Sequence, residues 1–119
     1  RWAALKIAGR FSMIYEWRVY EAVPGKMPNI VRRFGEITHA LFEKHGIEVV
    51  GYWTTTIGPN DQFVYLVRFN DLEHRQKAWS AFQADPEWQQ KRAETVKDGE
   101  IVARVTNSIL TPTRYSPMQ

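Results

Sequence analysis

Ile47–Phe69, read as IEVVGYWTTTIGPNDQFVYLVRF, is the stretch that decides the fold. Both of its ends are rich in β-branched and aromatic residues, and Gly58-Pro59-Asn60-Asp61 between them has the chemistry of a turn. An antiparallel hairpin is predicted, with strand two over Ile47–Ile57 and strand three over Phe63–Phe69. The period of two sets Phe63, Tyr65, Val67 and Phe69 against Val64, Leu66 and Arg68 on strand three. On strand two it sets Gly51, Trp53, Thr55 and Ile57 against Val50, Tyr52, Thr54 and Thr56. Neither face is polar enough to meet water. One face is expected to lie under helices and the other to be covered by a second copy of the same sheet.

Upstream of the hairpin, Ile14 to Tyr20 reads as strand one and is stopped by Pro24-Gly25. Met27, Ile30, Val31, Phe34, Ile37, Thr38 and Leu41 then recur at spacings of three and four, with Arg32, Arg33, Glu36, Glu43 and Lys44 largely between them. This is a long amphipathic helix, closed by Gly46 at the position of a left-handed C-cap. Downstream, Asn70 with Glu73 reads as a capping box for a helix whose apolar side carries Leu72, Ala78, Trp79 and Phe82. Asp85-Pro86 opens another helix, with Asp as N-cap and Pro at the first helical position, running to about Asp98 before Gly99. Ile101 to Leu110 forms the last strand.

The order β-α-β-β-α-α-β gives an α+β chain, a ferredoxin-like split β-α-β antiparallel sheet with helices on one face, expected to form a dimeric α+β barrel. The expected domain spans 13–112, with a C-terminal tail over 113–119. Residues 1–12, ahead of Met13, read as an N-terminal extension: an added segment, an upstream translation start or a targeting remnant.

The composition narrows the function. With 119 residues, 44% hydrophobic and 24% charged, one folded core is expected and disorder is excluded. Cysteine is absent, which excludes disulfides, thiolate nucleophiles and cysteine-ligated metals. The formal charge of +3 resides in Arg1, Lys6 and Arg10; the remaining 13 basic side chains match the 13 acidic ones and are interleaved with them. No basic face for nucleic acid follows. No apolar run is long enough to span a bilayer, so a soluble, cytoplasmic protein is expected. His39, His45 and His74 have no metal-ligand spacing, and no metal or cofactor is assigned. His39 falls on the solvated side of a regular helical wheel, and His45 reads as a helix-end packing residue. No serine sits in a nucleophile elbow and no glycine-rich loop follows a strand.

Candidate site residues come from the strands. Glu16 and Arg18 alternate onto one face of strand one and Tyr20 follows them. An acid and a base inside a strand form either a paired couple at the sheet end or the floor of a polar pocket. Tyr52, Thr54, Tyr65 and Arg68 join them as candidate ligand-binding residues, because tyrosine and threonine hydroxyls with an arginine suit a small carbonyl, carboxylate or phenolic compound. Trp53, Ile57 and Val67 are candidates for the dimer interface, and Trp17, Trp53, Trp79 and Trp88 read as core and interface anchors.

Met13-Ile14-Tyr15-Glu16-Trp17-Arg18 with Pro24-Gly25-Lys26, then Gly51-Tyr52-Trp53-Thr54-Thr55, Ile57-Gly58-Pro59 and Asp85-Pro86-Glu87-Trp88, resemble the NIPSNAP family from Met13 to about Pro112. The resemblance implies the dimeric α+β barrel and a homo-oligomer. Relatives on that scaffold include cofactor-independent monooxygenases, isomerases and haem proteins, so the scaffold alone selects no reaction and no catalytic residue. Where many members are expected to carry His in strand three, this chain has Tyr65, and no role of that His transfers. Two functions follow as expectations: binding of a small apolar carbonyl or aromatic ligand between sheet and helices, or a non-catalytic protein-interaction module. The family's eukaryotic roles make the mitochondrial matrix the alternative compartment.

Overall fold

The computed structural model describes residues 13–119; the extension expected over residues 1–12 lies outside the described residues. Strands β1 (Ile14–Ala22), β2 (Glu48–Thr54), β3 (Gln62–Phe69) and β4 (Val102–Leu110) form one antiparallel sheet in the order β2-β3-β1-β4. After β1 comes a continuous helical rod made of α1 (Met27–Arg33), a π-helical turn (Phe34–Thr38) and α2 (His39–Lys44). Helices α3 (Leu72–Ala84) and α4 (Pro86–Thr95) follow β3. All lie on one face of the sheet, as the sequence predicts.

The register explains which side chains are covered. Glu16, Arg18 and Tyr20 pair with Val67, Tyr65 and Phe63, and these six share the face under the helices. The core is aromatic: Phe34 lies 4.7 Å from Phe63 and Phe42 lies 4.9 Å from Phe82 between ring centroids. Burying several such rings supplies the main driving force for closing the helices on the sheet. The opposite face carries Trp17 beside Trp53, ring centroids 6.0 Å apart, and both remain exposed. Trp53 lies so close over Gly51 that a Cβ there would come within 2.8 Å of the indole, which is why the strand needs glycine at its bulge. The tail returns across this outer face, where the Tyr15 hydroxyl donates to the Gln119 carbonyl at 2.8 Å.

Several local expectations are corrected. The N-cap of α3 is Asp71, whose carboxylate accepts from the His74 amide at 2.7 Å, and the capping box starting at Asn70 is not formed. Leu72 is 62% exposed at the first turn of α3 and contributes nothing to its apolar side. Strand β2 stops at Thr54, so Ile57 sits in the connecting loop and is 94% exposed. Helix α4 ends at Thr95. The Asp85-Pro86 start forms as expected, with the Asp85 carboxylate accepting from the Glu87 amide at 2.8 Å.

Candidate functional site

Glu16 is fully buried at the centre of the helix-covered face. A lone buried carboxylate would be costly, and this one is surrounded by donors from three elements. Arg18 Nη1 reaches it at 2.7 Å from β1, and Arg75 donates through Nε at 2.7 Å and Nη2 at 3.1 Å from α3. Trp79 Nε1 adds a bond at 3.1 Å and Asn107 Nδ2 of β4 another at 2.8 Å. Burial alone would raise the Glu16 pKa, but the hydrogen bonds from Arg75, Asn107 and Arg18 outweigh it and hold the carboxyl at about 2. Glu16 is thus ionised at neutral pH with its acceptor positions occupied. That is an anchor, and the chemistry of a general acid or base does not fit it.

From this anchor a donor chain runs toward the helices. Arg18 Nε donates to the Tyr65 hydroxyl at 2.8 Å, and the Tyr65 and Tyr20 hydroxyls lie 3.0 Å apart. Arginine has no acceptor, so the Tyr65 oxygen receives from Arg18. Tyr65 is completely buried, and its own proton is satisfied only by passing it to the Tyr20 oxygen. Burial, and then the neighbouring Tyr20, push the Tyr65 phenol well above its ordinary value, so it stays neutral. Tyr20 then keeps a free O–H.

Tyr20 lines a cavity of about 310 Å³ between the helical layer and the β1–β4 side of the sheet. Phe34, Phe42, Phe82, Trp79 and Trp88 give it an apolar wall, and Arg92 and Glu100 stand among its polar lining, 3.7 Å apart. Two further lining residues are anomalous. Arg33 is only 6% exposed and Thr38 2%, yet Arg33 Nε and Thr38 Oγ1 have no hydrogen-bond partner. Arg33 Nη1 makes one long bond to Thr95 Oγ1 at 3.3 Å, and its guanidinium carbon lies 5.8 Å from the Trp88 ring centre. Burial pushes the Arg33 pKa below its ordinary value, with the Arg92 charge acting in the same direction.

The π turn places these two residues together. Five residues apart on a regular α-helix, Arg33 and Thr38 would be rotated by about 140° from one another. The turn is closed from His39 N–H to the Phe34 carbonyl, five residues back, which brings positions at that spacing toward one face. The same closure corrects the expectation for His39. Its Nδ1 lies 2.9 Å from the Tyr52 hydroxyl, so the ring leans on the sheet and does not point wholly into solvent. His45 bonds the Asp85 carboxylate at 2.7 Å, at the helix end where it was expected.

Of the residues singled out from sequence, Glu16, Arg18, Tyr20 and Tyr65 come together, and Tyr52 packs its ring 5.6 Å from that of Tyr65. Thr54 stands exposed at the end of β2. Arg68 lies on the outer face, paired with Glu48, and is separated from the Glu16 cluster by the sheet itself. Val67 is fully buried under the helices, on the face opposite Trp53. Arg75, Asn107, Arg33 and Thr38 were not singled out. For Arg33 and Thr38 the sign in the sequence is a threonine in an otherwise apolar helical stripe, close to Gly35 inside the same helix; Arg75 and Asn107 carry none. Among the described residues no cluster of histidines and carboxylates has the makings of a metal site, and no helix is long and apolar enough to cross a membrane.

The NIPSNAP family model matches residues 15–117. The chain belongs to the NIPSNAP family. Among solved structures, a NIPSNAP-like domain protein from Burkholderia xenovorans is 31% identical with a TM-score of 0.79, over 89% of this chain and 90% of that one. A NIPSNAP family protein of unknown function from Agrobacterium tumefaciens is 28% identical with a TM-score of 0.80, over 91% of this chain and 95% of that one. A Pseudomonas aeruginosa protein, 14% identical with a TM-score of 0.54 over 85% of this chain and 94% of that one, shares the fold alone. None of the curated proteins matches. For this NIPSNAP chain, as for those relatives, the name carries a fold and no reaction.

Proposed function

We propose that this NIPSNAP protein binds a small apolar or aromatic compound in the cavity between its helices and sheet. The cavity itself carries the reading: its volume of about 310 Å³ is at the lower end of the range for small-molecule sites, and its walls are aromatic with a few polar groups. The test is native mass spectrometry of protein purified without added ligand, joined to titration of the Trp79 and Trp88 fluorescence with neutral aromatic amides. A retained small molecule, or saturable quenching that is lost in Ala103→Trp, supports the reading. Protein that arrives empty, quenches with nothing and instead retains a specific protein partner favours an interaction module.

The acting unit in this reading is a homodimer joined through the outer sheet face. Its support is the exposed Trp17 and Trp53 pair, with Val50 and Leu110 also exposed, which is more apolar surface than a monomer usually leaves to water. Sedimentation velocity at micromolar concentration should give twice the chain mass, and Trp53→Asp should give the monomer. A wild-type monomer under those conditions overturns the dimer.

A further inference from the structure

We infer that the ligand of this cavity is a carboxylate with an apolar body, its anionic head held by Arg33, Thr38 and Tyr20. This rests on the binding reading above and names the ligand class. A guanidinium keeps its charge at any pH a folded protein meets, and Arg33 is buried without a carboxylate within ion-pair distance among the described residues. The acid that lines the cavity, Glu100, is paired with Arg92 at 3.7 Å, and the two act on Arg33 in opposite directions, so the pair does not neutralise the Arg33 charge. Arg33 Nε and Thr38 Oγ1 are unpartnered and have almost no exposed surface as they stand, so binding requires a small rotation of these side chains onto the cavity that both residues line, and the relay from Arg18 through Tyr65 leaves Tyr20 with a proton to give. Three donors with no internal acceptor on the wall of one cavity match an oxygen anion.

The apolar remainder of the wall selects the body of the ligand. Phe34, Phe42, Phe82 and Trp88 offer ring faces, and the other two guanidinium groups of the lining are already paired, Arg92 with Glu100 and Arg104 with Glu21. A single buried guanidinium also matches one carboxylate better than a doubly charged phosphate, for which no glycine-rich nest of amides is present among the lining residues. A small aryl or alkyl monocarboxylate is the class that satisfies both halves of the cavity.

The experiment is calorimetric titration of the full chain with 3-phenylpropanoate, 2-naphthoate and octanoate, each beside its primary amide, at neutral pH. The carboxylates should bind about tenfold or more tightly than their amides, and Arg33→Gln should erase that preference while leaving amide binding in place. Because Arg33→Gln alters a buried position, Thr38→Val serves as the isosteric second variant, with a smaller loss confined to the carboxylates. Equal binding of acid and amide, or amide binding alone, overturns the carboxylate assignment and leaves the cavity reading standing. No binding by either series overturns both.

Discussion

Two polar clusters lie in the same layer between sheet and helices, and they are built in opposite ways. Around Glu16 every charge is answered: two arginines, an indole and an amide converge on one carboxylate. Around Arg33 and Thr38, the Arg33 Nε and Thr38 Oγ1 groups are buried and unanswered. Buried polar groups in folded proteins are nearly always paired, so the first cluster reads as a device that fixes β1, α3 and β4 together. The second keeps an unmet demand that a ligand can fill. In the proposed reading stability and binding fall largely to separate side chains, joined through the Arg18–Tyr65–Tyr20 chain and through Trp79, which donates to Glu16 and lines the cavity.

The comparison can be broken most sharply at Glu16. Glu16→Gln strands two guanidinium groups in the interior, and equilibrium urea unfolding should show a loss of about 3–5 kcal/mol. A loss under about 1 kcal/mol would mean that the cluster is not the structural anchor. A second effect concerns acid. The folded-state pKa of Glu16, about 2, lies below its ordinary value of 4.5, so the stabilisation it gives is complete above about pH 5 and is lost as pH falls toward 2. The shift corresponds to about 3 kcal/mol. Unfolding free energies of wild type and Glu16→Gln, followed from neutral pH to pH 2, should therefore converge.

The other cluster predicts smaller changes of reversed sense. Arg33→Met removes an unpaired buried charge and keeps the side-chain bulk, and urea unfolding should place it within about 1 kcal/mol of wild type or above it. Thr38→Val, which deletes a hydroxyl with no partner, should change the unfolding free energy least, by less than about 1 kcal/mol in either direction. A large loss in either variant would mean that Arg33 or Thr38 already serves the folded chain, and the contrast between the clusters would disappear.

Much of the sheet was legible in the sequence because strand residues announce their faces by alternation. Phe63, Tyr65, Val67 and Phe69 fall on the buried side as their spacing requires, and Asp85-Pro86 begins a helix because its carboxylate and its missing amide suit that position. Glu16 and Arg18 were visible as a charged couple on one strand. Their partners were not, since Arg75 and Asn107 arrive from elements 59 and 91 residues away and no local pattern encodes that meeting. The Arg33–Thr38 wall was hidden for another reason. Thr38 stands in the apolar stripe by its spacing, but Arg33 reads there as one of the charges between stripe members, and the π turn from Phe34 to His39 takes His39 off the 100° wheel toward Tyr52. Val67 was grouped with Trp53 although its own alternation puts it with Tyr65, and the register decides in favour of the alternation.

One buried cluster holds the fold, and the other, as proposed, waits for a ligand. The most direct test of this division is the unfolding midpoint in urea of Glu16→Gln and Arg33→Met, measured side by side in ligand-free buffer. The two variants should change in different ways, with a large fall for Glu16→Gln and no fall, or a rise, for Arg33→Met. Two comparable falls would contradict the division, since Arg33 would then be as deeply part of the folding machinery as Glu16.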